Sequence, residues 1–244
     1  MKNMLIAAAA ALSLSAMTLG ACSPPAADAP EAAGPITPVA TEAPAGTYAS
    51  DPYHTSVTFR IKHMGLSYYT ARFTKADITL MLDPSNPTAA SVNATIDPTS
   101  IRTDFSGDYR ATHPGTTFAT FDQSIAQDPN LLNAGQFKEI SFQSTSVTLT
   151  GPNTADIVGD LTMRGVSKPV TLQATFNGGY ASHPMMPGSS PMVGFSARGS
   201  FNRSDFGISF GLPAEGSEIG VGDAIEVLIE AELAQPSAAA GTHP

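Results

Sequence analysis

The stretch DPYHTSVTFRIKHMGLSYYTARF, residues 51–73, alternates apolar and polar side chains from Thr55 onward. Val57, Phe59, Ile61 and His63 fall in one phase, and Ser56, Thr58, Arg60 and Lys62 in the other. A period of two is that of a half-buried antiparallel strand with one face toward a core and one toward water. The stretch also holds two of the chain's five histidines, His54 and His63. Nine residues apart on a regular strand, they take opposite faces roughly 30 Å from each other. They are therefore not a direct metal or acid–base pair. His63 is expected to point inward with Phe59 and Ile61, and His54 to stand at the strand's beginning on the other face.

The same period recurs through residues 46–235, at Ala76–Leu82, Val92–Ile96, Asp156–Met163, Val170–Phe176, Val193–Phe201 and Ile225–Leu233. Between Ile140 and Leu149 the phase slips, so a bulge is predicted near Thr145. Turns are predicted at Asp83-Pro84, Asp97-Pro98, Gly151-Pro152-Asn153, Arg164-Gly165 and Asn177-Gly178-Gly179. Short helical turns fit only Thr99–Arg102 and Thr120–Gln127. About eight strands with one or two short helices imply an all-β sandwich or closed barrel.

Outside this domain the composition changes. Residues 1–21 place Lys2 ahead of an apolar run and then small residues, the order of a secretory signal peptide. Leu19-Gly20-Ala21-Cys22 resembles a bacterial lipobox, which makes Cys22, the chain's one cysteine, the expected site of lipidation. Ser23 in place of an aspartate favours the outer membrane over inner-membrane retention, so the domain is expected to face the periplasm from a lipid anchor. Residues 22–45, rich in Pro and Ala, read as a tether, and 236–244 as a disordered tail.

Of 12 Lys+Arg and 21 Asp+Glu, removal of residues 1–21 takes only Lys2, leaving 11 against 21 and a net charge of −10. Such a domain is a poor nucleic-acid binder. A single cysteine excludes an internal disulfide and a CxxC site, and the histidine spacings match no zinc motif. A GxSxG elbow is missing, and Gly220-Val221-Gly222-Asp223 lacks the helix and lysine of a phosphate loop. The expectation is a protein that is not an enzyme, with no metal and no cofactor. A barrel of about eight strands either fills with side chains or holds one small ligand. Periodicity alone admits both.

Four segments then carry a resemblance: Tyr48–Phe73 (with D-x-x-H-[ST]-x-V-x-F and K-H-x-G), ISFQST at 140–145, VGDLTMRGVSKPV at 158–170 and GFSARGSFNRSDFG at 194–207. In this order they resemble the YceI family of exported bacterial proteins. That resemblance implies an extended antiparallel, lipocalin-like β-barrel whose cavity binds a long isoprenoid, a polyprenyl phosphate or an isoprenoid quinone. The expected cavity lining is Phe59, His63, Phe73, Phe142, Phe195 and Phe206, carried over by position in the family's motifs, with Ile61 and Phe201 from their inward phase. His54, Arg60, Lys168, Arg203 and Asp205 are the candidate contacts for a polar head. Arg203 with Asp205 also suits an ion pair or turn, and Arg60 falls in the solvent phase. The chain departs from the family pattern in a longer connection across 105–120, in Ser124-Ile125, and in Gln136-Phe137-Lys138, all expected around one mouth. Fatty acid or fatty amide binding, or a filled-core envelope stress or interaction protein, are the alternatives. The lipid and the membrane are the expected partners, and a homodimer stays open.

Overall fold

A computed structural model describes residues 34–236. The leader, Cys22, most of the stretch read as a tether, and the tail beyond Pro236 lie outside the described residues. Ten strands form one antiparallel sheet: β1 (Gly46–His63), β2 (Ser67–Phe73), β3 (Ala76–Leu82), β4 (Ser91–Ile96), β5 (Ile101–Thr103), β6 (Ile140–Gly151), β7 (Thr154–Met163), β8 (Val166–Tyr180), β9 (Met192–Asn202) and β10 (Val221–Ala234). β10 pairs back onto β1, with Val57 opposite Ile229 and Ile61 opposite Ile225, so β1, β3, β4 and β6–β10 close into an eight-stranded barrel. Closure satisfies the backbone groups that an edge strand leaves unpaired.

The eight alternating runs of the sequence are these eight barrel strands. β2 and β5 are the additions. β1 is long enough to pair β3 through Gly46–Ala49 and β2 through Val57–His63, so β2 and then β5 flare from the barrel at one end. The phase slip in β6 is a register shift between Ser144 and Ser146 against β7, at the predicted place. Arg164 and Gly165 both have positive φ, 53° and 74°, as the two-residue hairpin between β7 and β8 requires.

One turn expectation is corrected. Asn177-Gly178-Gly179 does not end β8 but lies within it, as an irregularity between Phe176 and Gly178 that lets the strand run on to Tyr180. Gly178 takes a positive φ of 146° at the irregularity, and Gly179 serves close approach rather than a turn. A Cβ on Gly179 would meet Ala43, Thr41 and Val193, because residues 36–45 lie along this rim: Val39 N–H donates to Pro152 O (2.8 Å), Thr41 Oγ1 to Gly179 O (3.1 Å), and Ala43 is buried.

Of the predicted helical turns, that at Thr99–Arg102 is corrected to a 3-10 turn at Pro98–Ser100, Ile101 and Arg102 belonging to β5, while the other occurs as α2 (Phe121–Gln127), capped by Thr120, whose hydroxyl accepts the Gln123 N–H. A further short helix, α1 (Tyr109–Thr112), forms within the long 104–120 connection.

Packing inside the barrel is uneven. One cluster gathers Val57, Phe73, Ile101, Ile140, Phe142 and Met163 toward the end where β1 finishes at His63. A second gathers Tyr48, Ile78, Leu80, Val193 and Leu233 toward the other. Gly159 of β7 sits under the Phe142 ring, and a Cβ there would run into that ring and the Gln143 carbonyl. Gly159→Ala is therefore expected to push Phe142 into the barrel and cost about 1–3 kcal/mol, measured by chemical denaturation. An unchanged midpoint would show that the ring has somewhere else to go.

A candidate lipid cavity

The inward phase of the strands does not meet at the axis. It encloses a cavity of about 720 Å³ running most of the barrel's length, from Pro38 and Pro152 at one end to His63 and Phe210 at the other. Its wall follows from sequence parity: Phe59 and Ile61 of β1, Ile78 and Leu80 of β3, Leu172 and Ala174 of β8, Phe195 and Ala197 of β9, Ile225 and Ile229 of β10. The size is within the range of small-molecule sites, and the wall is almost wholly apolar.

Seven of the eight residues expected to line it do so: Phe59, Ile61, His63, Phe73, Phe142, Phe195 and Phe201. Phe206 does not. It is 1% exposed, in a 3-10 turn behind Phe201, the two rings meeting edge to face at 5.4 Å. It is a core plug rather than wall, because the chain has left β9 by that point and strand parity no longer applies.

The polar candidates separate. His54 is exposed on the outside, its Nδ1 2.8 Å from Asp51 Oδ2 and 3.9 Å from Glu232. The Asp51 hydrogen bond, with the charges of Asp51 and Glu232, raises its pKa above the ordinary imidazole value. Arg60 is held outside the barrel by Glu226, 2.6 Å from Nη2, and lies over the Tyr68 ring. Lys168 and Asp205 are exposed and lie off the cavity wall.

Arg203 touches the wall but is 4% exposed and fully engaged elsewhere. Its Nε donates to Gly222 O (2.8 Å), Nη1 to Phe210 O (2.8 Å) and Ile208 O (3.4 Å), and Nη2 to Val221 O (2.8 Å). Burial pulls its pKa below the usual guanidinium value, and Asp223 opposes that shift. The partner expected from sequence, Asp205, takes no part. Asp223 instead accepts both the N–H and the hydroxyl of Ser204. Of the five polar candidates only Arg203 reaches the cavity wall, and His63, expected in the lining, stands exposed at its mouth.

Sequence reading missed the group that covers this mouth. Phe105, His113 and Phe121, from the 104–121 segment, and Tyr69 of β2 all line the cavity. Tyr109 stacks on His113 at 4.2 Å and on Phe121 at 5.4 Å, while Phe105 and Tyr69 meet Phe121 edge-on at 5.8 and 5.6 Å. The density of aromatics between Phe105 and Phe121 was the available signal. Among the described residues, no group of three or more His, Cys, Asp or Glu is placed to hold a metal.

The YceI-like domain is the family whose sequence model matches, over residues 48–233. Protein YceI of Escherichia coli O17:K52:H18 is 34% identical over 166 residues, 68% of this chain and 77% of that protein. A UPF0312 protein of Pseudomonas syringae pv. tomato is 33% identical over 155 residues, 64% of this chain and 71% of that one. Among solved structures, Burkholderia cenocepacia BcnA superposes with a TM-score of 0.57 at 21% identity, covering 75% of this chain and 98% of that chain. A polyisoprenoid binding domain from Saccharophagus degradans, implicated in plant cell wall breakdown, superposes at 0.51 and 11% identity, covering 79% and 99%. At these identities the two structures speak to the fold.

Proposed function

This chain belongs to the YceI-like family, and from that membership we propose that it is a non-catalytic carrier that holds one long isoprenoid chain in its barrel. The observation that carries the reading is the continuous apolar cavity of about 720 Å³. Its shape is that of a tail, and its wall offers a reacting substrate almost no polar group to act on it. Burial of ten methylene-sized groups yields on the order of 8 kcal/mol before ordering costs, enough for roughly micromolar affinity without a polar contact. The naming of the Saccharophagus degradans domain supports an isoprenoid, and we propose a polyprenyl phosphate or an isoprenoid quinone as its form.

The leader and Cys22 lead us to place the carrier in the periplasm, tethered to the outer membrane by a lipid anchor. From there it would accept or deliver a membrane-resident lipid.

The cavity sets its own test. At about 30 Å³ per water-sized group, 720 Å³ holds on the order of two dozen carbons. Affinity for isoprenoids of increasing length is expected to rise steeply and then level near five isoprene units, measured by equilibrium titration of lipid-free protein. Solvent extraction of the purified protein followed by mass spectrometry should recover an isoprenoid. Straight-chain acids bound in preference to branched tails, or repeated recovery of no lipid together with no titration, would overturn the assignment.

A further inference from the structure

The end of the cavity away from His63 is closed by chain that is not part of the barrel strands. Pro38, Val39 and Thr41 complete the wall there, beside Pro84 and Pro87 of the β3–β4 connection and Pro152 of the β6–β7 hairpin. Residues 36–41 precede Tyr48, where the match to the family begins, so membership assigns them nothing. Their hold is slight. Among the described residues, 36–42 meet the barrel through two hydrogen bonds, Val39 N–H to Pro152 O and Thr41 Oγ1 to Gly179 O. Pro38 has no N–H to add. The chain that follows is fixed: Ala43 is buried beside Gly179, the Tyr48 hydroxyl donates to Pro44 O, and Gln235 Nε2 donates to Ala45 O. A segment hung from a fixed base by two bonds is a flap that opens at low cost.

The rim around the flap is apolar and open to solvent. Ile36, Val39 and Tyr180 are exposed, and Met185 and Met186 of the β8–β9 loop are 86% and 59% exposed. Clustered exposed apolar side chains mark a contact surface. The segments that build this end, 34–50, 79–93, 148–156, 174–195 and 231–235, contain no Lys or Arg, and their carboxylates are Glu42, Asp83, Asp156 and Glu232. Such a rim has no attraction for an acidic partner or an anionic lipid. It suits a neutral bilayer interface, the level at which a tyrosine such as Tyr180 settles. The chain also arrives here from Cys22, with only residues 23–35 between that cysteine and Ile36, a span of at most about 45 Å. The opposite end exposes Leu66, Phe210 and Ile219, but the stacked rings of Tyr109, His113 and Phe121, with Phe105, cover its opening.

We propose that the strapped end is the face this barrel sets against a lipid bilayer, with residues 36–41 the flap through which a membrane-resident isoprenoid enters and leaves. The inference rests on the carrier reading and on the anchor at Cys22. It gives the barrel an orientation, with Met185, Met186 and Tyr180 at the lipid surface and the aromatic cover turned away from it.

The test loads the full chain with retinol, an isoprenoid that is itself fluorescent, and follows its transfer to empty phosphatidylcholine vesicles by stopped flow, beside an equilibrium titration in buffer. The transfer rate is expected to rise with vesicle concentration, as transfer by contact requires, and to gain nothing from added phosphatidylglycerol. Untying the flap with Val39→Pro and Thr41→Ala together should speed transfer about tenfold, by more than affinity falls, because an opening speeds entry as well as exit. Met185→Asp with Met186→Asp should slow transfer about tenfold and leave titrated affinity and the thermal midpoint unchanged. A rate indifferent to vesicle concentration, acceleration by phosphatidylglycerol, or an untied flap with unchanged transfer overturns the proposal. So does transfer slowed by Leu66→Asp with Ile219→Asp but not by the methionine pair. If retinol and longer polyprenols all fail to bind in the titration, the carrier reading itself falls, an outcome separate from a wrong docking end.

Discussion

Ala197→Phe is expected to abolish binding of long isoprenoids while leaving the barrel folded. Ala197 lies on β9 between Ala174 of β8 and Ile229 of β10 and lines the cavity near the middle of the barrel. It is only partly covered although its side chain faces inward, so there is open space in front of it. A phenyl ring there projects into the lumen and divides one long tunnel into two short ones. Displacing even four methylene-sized groups forfeits about 3 kcal/mol, roughly a hundredfold in affinity. Large side chains destabilise packed cores because the neighbours must move. Here the ring enters a void, so the thermal midpoint of the lipid-free variant should hold or rise. Titration with a long isoprenoid and a thermal melt on the same preparation separate the two effects. Unimpaired binding with the same chain-length plateau would place the ligand outside the barrel.

The void that makes this substitution tolerable also limits what strand periodicity could say. Alternation revealed the eight barrel strands because each exposes one face to water and one to the lumen, and an apolar lumen leaves the same pattern as a packed core. Phe59, Ile61, Phe142, Phe195 and Phe201 were legible as inward residues for that reason. The cavity was not, since it depends on how far opposite walls stand apart. β2 escaped notice because Tyr68 and Tyr69 put aromatics on both faces, Tyr68 beneath Arg60 and Lys62 outside and Tyr69 against Phe121 inside. β5, Ile101–Thr103, is too short to show a period.

Residues in the loops were harder still. Phe105 and His113 reach the cavity only because α1 folds the 104–120 connection back over the mouth, where Tyr109 donates to Ser124 Oγ (3.0 Å) and Asp122 holds the Thr103 backbone and hydroxyl. Composition likewise described residues 36–45 as tether. The contacts of Val39 and Thr41 with Pro152 and Gly179 depend on residues far along the chain, beyond the reach of any local pattern.

Arg203→Ala is expected to produce the largest loss of stability in the molecule, about 3 kcal/mol or more. The guanidinium ties the turn at Arg203–Phe206 to the loop carrying Ile208 and Phe210 and to the start of β10 at Val221 and Gly222. Phe210 and Val221 are themselves part of the cavity wall, so this one side chain shapes the mouth through the backbone. Its removal leaves several carbonyls without a donor and a hole where the planar group lay. For a domain of this size each kcal/mol corresponds to roughly 2–4 °C, so the melting midpoint should fall by about 6–12 °C. Arg203→Lys is expected to recover little of it, because a single ammonium cannot reproduce a fork that bonds carbonyls in several directions. A residue that served instead to neutralise a lipid phosphate would behave in the opposite manner. Its loss would leave the lipid-free melt almost unchanged and weaken only phosphate binding, with lysine restoring much of the affinity. Melting wild type, Arg203→Ala and Arg203→Lys with and without a polyprenyl phosphate therefore decides whether this arginine holds the protein or the ligand.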